Sequence, residues 1–257
     1  NTNQLMIEFM SYNTNMLDSL RRYFVLLPIA YLFIAVLPAR SDVKYVYLSA
    51  AVLVVLTFLY NYKQKFKSDK FLASWMVVLA VIGLSAAIIL SIEKVELLVN
   101  PNHIASCSLS PVVACSPVIA SPQASAFGFP NSFIGILGFT AVFTAGMTIL
   151  AGATKLSKAW WRTLLGGVVF AAGFCTWLIH EGVFEIGKLC LYCMLVWLVS
   201  FCLLWLITAY CVDNKYINLG RHLNKLLSYK YELITTTYVI IFLLLFLRWS
   251  DYWISLF

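Results

Sequence analysis

Uncharged apolar runs recur along the chain, most of them long enough to cross a bilayer. Leu72–Ile92, Ser132–Ala153, Thr163–Ile179, Leu189–Val212 and Leu233–Leu247 contain no Asp, Glu, Lys or Arg. About 20 apolar residues span the hydrocarbon core as a helix, and a helix satisfies its own backbone where no water can. The third and fifth runs are shorter, and the fifth is extended by the aromatic tail Trp249-Ser-Asp-Tyr-Trp253. Upstream, Tyr23–Leu37 and Tyr45–Tyr62 flank the polar break Pro38-Ala-Arg-Ser-Asp-Val-Lys44. The first of these is short and carries Pro28, so two readings stand: a helical hairpin crossing the membrane, which we adopt, or a re-entrant or interfacial segment. Asn1–Leu20 is polar with scattered Met, Leu and Phe, an amphipathic lead-in rather than a signal peptide. The pattern predicts an all-α polytopic membrane protein with about seven crossings.

Composition agrees. Hydrophobic residues make up 62% of the chain and charged ones 11%, where a soluble domain carries roughly 25% charged. If the loops alternate sides from Arg21-Arg22, one side also receives Lys63, Lys65, Lys67, Lys70, Lys155, Lys158, Arg162, Lys215, Arg221, Lys225 and Lys230. The other receives Arg40, Lys44, Lys94, Lys188 and Arg248. The positive-inside rule makes the first side cytoplasmic. The net charge of +7 is therefore a topology signal, and no nucleic-acid partner is expected.

Three parts follow: an N-terminal extension over 1–70 with the transmembrane hairpin, a central bundle over 71–212 that includes an outer loop at 93–131, and a cytoplasmic loop with a final crossing over 213–257. The outer loop is unusual. From Leu97 to Thr154 there is no full charge, only His103, and the aqueous part holds Pro101, Pro111, Pro117, Pro122 and Pro130. A loop this apolar should lie on the membrane surface or on the helix ends, as a lid. Pro111 and Pro117 around Val112–Ser116 suggest a short helix broken at both ends.

Cys107, Cys115, Cys190 and Cys193 all fall on the outer, oxidising side, where disulfides persist. Cys175, Cys202 and Cys211 lie in or near membrane runs and read as small apolar fillers. Cys190-Leu191-Tyr192-Cys193 opens a long apolar run, so both sulfurs share a helix face. The helix N-terminus and the adjacent Lys188 would favour thiolate at Cys190. Zinc would need two further ligands at that end, and no second CxxC or HxxxH exists, so no metal is expected. Cys107 and Cys115 admit two readings. One is a structural staple, the other a lid dithiol that relays electrons to the CxxC pair and on to a lipid-soluble quinone. Asn131 and Ser121 could face such a quinone, or could equally be a helix N-cap and a turn residue.

Taken together, these residues resemble the vitamin K epoxide reductase family, and more closely its bacterial homologues. The resemblance covers about Trp75 to Val212. It rests on Cys107-x7-Cys115, the following Ser-Pro-Val-Ile-Ala-Ser121, Phe127-Gly128-Phe129-Pro130-Asn131-Ser132 and Cys190-Leu-Tyr-Cys193 in that order. It implies a four-helix bundle around a quinone pocket, roofed by a loop and half-helix lid. It implies that Cys107 exchanges with a partner, Cys115 exchanges with Cys190, and Cys193 faces the quinone (menaquinone or ubiquinone). Ser121 and Asn131 match the family's loop serine and quinone-contacting asparagine. Trp197 stands where animal members carry a tyrosine near the quinone. No thioredoxin-like domain follows Cys193, so the resemblance implies a separate, exported thioredoxin-fold oxidase as partner, at the inner (plasma) membrane. Rival readings are a non-enzymatic membrane subunit with two structural disulfides, or reduction of vitamin K quinone or epoxide as the main role. The disulfide-formation protein B family places its CxxC before its loop pair, the reverse of this order.

Overall fold

The computed structural model describes residue 31 and residues 43–64, 68–153 and 156–254. The first apolar run of the expected hairpin and the amphipathic lead-in lie outside the described residues, apart from Tyr31. Helix α1 spans Val43–Gln64, α2 Ser68–Val99, the short lid helix α3 Cys115–Ala120, α4 Asn131–Leu150, α5 Lys158–His180, α6 Leu191–Asp213, α7 Arg221–Leu227, α8 Lys230–Arg248 and α9 Ser250–Ile254. Five of the described helices are long and apolar enough to cross a membrane: α2, α4, α5 with its continuation to Ile186, α6 and α8. The chain is an all-α polytopic membrane protein. Helix α1 is apolar over the shorter stretch Val43–Phe58.

Helix α2 is the axis of the bundle. It is apolar on all sides, and Ala73, Met76, Val78, Ala80 and Val81 are completely covered, the pattern of a helix with neighbours all round. Helices α4 and α6 pack along it, α5 and α8 pack on α6, and α1 packs on α2. Gly146 lets α4 approach α2 closely: a Cβ there would stand 2.8 Å from Val77 Cγ2 and 3.0 Å from the Ala73 carbonyl oxygen. Close approach through small residues is how membrane helices gain packing when lipid offers no hydrophobic driving force. Helices α4 and α5 meet only sparsely, and that gap opens the interior between them.

Several boundaries differ from expectation. Helix α2 runs on to Val99, past the expected loop start at residue 93. The short lid helix is Cys115–Ala120, not Val112–Ser116. Pro117 sits in its first turn, where a backbone N–H would have no helical acceptor anyway. Helix α5 continues as a π-helical turn, Glu181–Ile186, ended by Gly187 at φ +66°. The aromatic tail does not prolong α8. The chain turns at Trp249, and Arg248 Nε donates to the Val183 carbonyl of the π turn at 3.1 Å.

Candidate functional site

The site is assembled by one isolated backbone pairing. Val113 of the lid forms a parallel bridge with Leu189, just ahead of α6. Leu189 N donates to the Val112 carbonyl at 2.9 Å, and Ala114 N donates to the Leu189 carbonyl at 3.0 Å. The next residue on one strand is Cys115 and on the other Cys190. Register alone therefore brings the two thiol pairs together.

Cys107 and Cys115 form a disulfide with Cα atoms 5.6 Å apart. Cys190 and Cys193 are free. The sulfurs of Cys107, Cys115 and Cys190 all lie within 4.8 Å of one another, and all three residues are at most 1% exposed. Two of these sulfurs are already bonded to each other, so the trio is an exchange geometry rather than a set of thiolate ligands. Cys190 is the N-cap of α6, and its sulfur accepts from Cys193 N at 3.4 Å. That places Cys190 against the lid disulfide and Cys193 one turn deeper, on the wall of the cavity below.

Serine hydroxyls stitch the lid. Ser108 Oγ accepts from the backbone N–H of Cys115 at 3.1 Å and of Ser116 at 3.3 Å, capping α3 in place of Ala114, which has no side-chain oxygen. Ser116 Oγ accepts from Ala105 N at 2.8 Å. The stretch Ser106-Cys107-Ser108 is thereby held over the start of α3. Behind it stands Glu93, 4% exposed. Its Oε1 accepts from Ser106 N at 3.0 Å and from Ser106 Oγ at 2.6 Å, and its Oε2 lies 2.7 Å from His103 Nε2. Ser106 Oγ also lies 3.3 Å from Tyr192 Oη, inside the CxxC motif. Sequence reasoning missed Glu93, because an acid at the end of an apolar run reads as the edge of a membrane span. Lys188, expected to favour thiolate at Cys190, also donates its ammonium to the Pro111 carbonyl at 2.5 Å. Lys94 does the same to the Ile119 carbonyl at 2.7 Å. Both cations are struts under the lid.

Beneath the sulfurs lies a cavity of about 640 Å³. Phe139 and Val142 of α4, Leu164, Val168 and Phe174 of α5, and Val196, Trp197 and Leu203 of α6 form its walls. Cys190 and Cys193 border it near the lid, together with Ser121, Gln123 and Asn131. An apolar chamber with a few polar groups at one end suits a lipid-soluble ligand. Asn131 is the first residue of α4, not its N-cap. Its amide donates to the Gln123 carbonyl at 2.6 Å and accepts from Ala126 N at 3.0 Å, bracing the 3₁₀ turn Pro122–Ser125 over the cavity. Ser121 Oγ donates to the Val118 carbonyl at 2.8 Å, and the residue borders the chamber. Trp197 is buried in the wall.

A buried lid disulfide and a CxxC pair, Cys190 buried and Cys193 half-buried, stand over an apolar chamber in a helical bundle, and the chain matches the profile of the vitamin K epoxide reductase family over residues 74–208. The chain belongs to the vitamin K epoxide reductase family. No curated protein matches it. Membership makes it a membrane thiol–disulfide oxidoreductase, in a family whose members generally use quinones, and the cysteine geometry fits thiol–disulfide exchange. The vitamin K epoxide reductase core accounts for α2 to α6 up to residue 208; α1 and α8 lie outside it.

Proposed function

We propose that this protein takes two electrons from an exported thioredoxin-fold dithiol protein and passes them through Cys107/Cys115 and Cys190/Cys193 to a membrane quinone, leaving a disulfide in the partner. Catalysis belongs to 71–212; the extension 1–70 and the tail 213–257 flank it. The observation that carries this reading is the third sulfur. A structural staple would not need Cys190 buried within 4.8 Å of both bonded sulfurs.

The steps balance as disulfide exchange. A partner thiolate attacks Cys107, and its second thiol closes the partner disulfide, leaving Cys107 and Cys115 as a dithiol. Cys115 then attacks Cys190 of an oxidised CxxC pair. A Cys115–Cys190 bond forms, the Cys190–Cys193 bond breaks, and the electron pair stays on Cys193. Cys107 attacks Cys115, re-forming the lid disulfide and releasing Cys190. The geometry described above, lid pair bonded and CxxC pair free, is the arrangement reached at that point. A bound quinone supplies the sink for two electrons and two protons, which regenerates the Cys190–Cys193 disulfide. Ser121, Asn131 and Trp197 would hold its head near Cys193. Clustering of basic residues at the end away from the cysteines supports an extracytoplasmic position for both pairs, at the plasma (inner) membrane.

The test uses a Cys107→Ala/Cys193→Ala protein, which keeps one thiol of each pair. Mild oxidation is expected to join Cys115 to Cys190 within minutes, identified by mass spectrometry of the linked peptides. Absence of that cross-link in folded protein would leave the two pairs without a route between them.

A further inference from the structure

Helix α1 lies outside the residues matched by the family profile, yet it reaches the CxxC motif. Val43, Val46, Ala50, Leu53 and Thr57 are buried at alternating spacings of three and four, a stripe along one face. The opposite positions, among them Leu48, Val52 and Val55, are exposed apolar residues, as on a helix that meets lipid on its outer side. Packed this way, α1 begins beside the first turn of α6. There the hydroxyl of Tyr47, on a part-buried side chain, donates to the carbonyl of Leu191 at 2.7 Å. Leu191 is the residue between Cys190 and Tyr192.

The neighbouring residue of the motif is held from the other side. Tyr192 is 1% exposed, and its hydroxyl lies 3.3 Å from Ser106 Oγ, which is fixed by Glu93. The CxxC turn is thus gripped between a helix outside the family core and the lid that carries Cys107. Exchange depends on sub-ångström placement of attacking, central and leaving sulfurs. A hydrogen bond to the backbone between the two cysteines acts on that placement directly.

We infer that Tyr47 is a positioning residue for the CxxC pair, and that α1 is part of the catalytic unit in this protein, setting Cys190 against the lid disulfide. The inference rests on the exchange reading above. It adds a residue that the family core does not contain.

Tyr47→Phe removes one oxygen and keeps the ring. In the Cys107→Ala/Cys193→Ala background it is expected to slow Cys115–Cys190 cross-linking about three- to tenfold, the effect of one lost hydrogen bond. The melting temperature in detergent should stay within a degree or two. Tyr31→Phe is the control for a purely structural contribution of the extension. Tyr31 is also buried, but its hydroxyl meets serine side chains, Ser85 Oγ on α2 at 3.2 Å, rather than the backbone of the motif, and its loss should slow the rate less than loss of the Tyr47 hydroxyl. A second readout needs no exchange. In fully reduced wild-type sequence, Tyr47→Phe should alter the alkylation rate of Cys190 relative to Cys193 by at least twofold. If the background protein cross-links and Tyr47→Phe matches it in both readouts, the positioning role is wrong and the exchange reading survives. If Tyr31→Phe slows cross-linking as much as Tyr47→Phe, α1 acts only by general packing and the positioning role is again wrong. If the background protein does not cross-link at all, both fall together.

Discussion

At the scale of single residues the lid is held by one buried carboxylate. An ionised group away from water is costly unless its lone pairs are occupied, and Glu93 meets Ser106 twice and His103 once. Glu93→Gln keeps the shape but turns one oxygen into an N–H. With its N–H towards Ser106 the amide points a donor at the Ser106 N–H; with its N–H towards His103 the imidazole must accept at Nε2 and gives up donation to Glu96, 3.1 Å away. Hydrogen bonds to a charged group contribute about 1.5–3 kcal/mol, so the melting temperature should fall by several degrees. The segment carrying Cys107 should also loosen. Under reducing conditions, Cys107 is expected to alkylate several-fold faster in the variant, measured by peptide mass spectrometry. Unchanged alkylation with a lowered melting temperature would confine Glu93 to a stabilising role. This residue and the serines around Cys107 were invisible in the linear pattern, because each works through a partner from another segment. The cysteines were legible, since their spacing and order can be read within the chain.

At the scale of elements the decisive feature is the pairing of Val112–Ala114 with Leu189. Leu189→Pro removes the N–H that donates to Val112 and cannot be repaired by rotation of a side chain. In the Cys107→Ala/Cys193→Ala background, cross-linking should fall by tenfold or more. Leu189→Ala keeps the backbone donor and should stay within about twofold of the parent. Equal rates for the two would mean that the lid finds the CxxC end by other contacts. Length and hydropathy were enough to predict the long helices, because a span in lipid has almost no other option. The same reasoning placed the lid helix three residues early. It took both prolines as breakers, whereas Pro117 is compatible with a first turn, and Val112–Ala114 is extended because Leu189 supplies its hydrogen-bond partner. A single bridge to a distant residue leaves no alternation to read.

At the scale of the whole molecule, charge and helix direction tell one story. The start of α1, the end of α2, the starts of α4 and α6 and the end of α8 meet at the lid, as Tyr47, Glu93, Asn131, Cys190 and Arg248 show by their contacts. Three cations at this end, Lys94, Lys188 and Arg248, donate to backbone carbonyls of the lid and the π turn. Each keeps its full charge, but these three are fewer than the basic residues of the opposite end. The opposite end carries Lys158, Arg162, Lys215, Arg221, Lys225 and Lys230 around the short helix α7 and the loops. By the positive-inside rule an exposed cluster of this kind favours the cytoplasmic side for its loops, the orientation proposed above. Ala126 at the lid end and Lys225 at the other are both exposed, and neither side chain touches a sulfur. In bacterial spheroplasts, Ala126→Cys should label with a membrane-impermeant maleimide well above the parent protein, whereas Lys225→Cys should label only after the membrane is opened. The reverse pattern would put the lid disulfide in a compartment that reduces it. An exported thiol partner could then never reach Cys107, because the bilayer would lie between them.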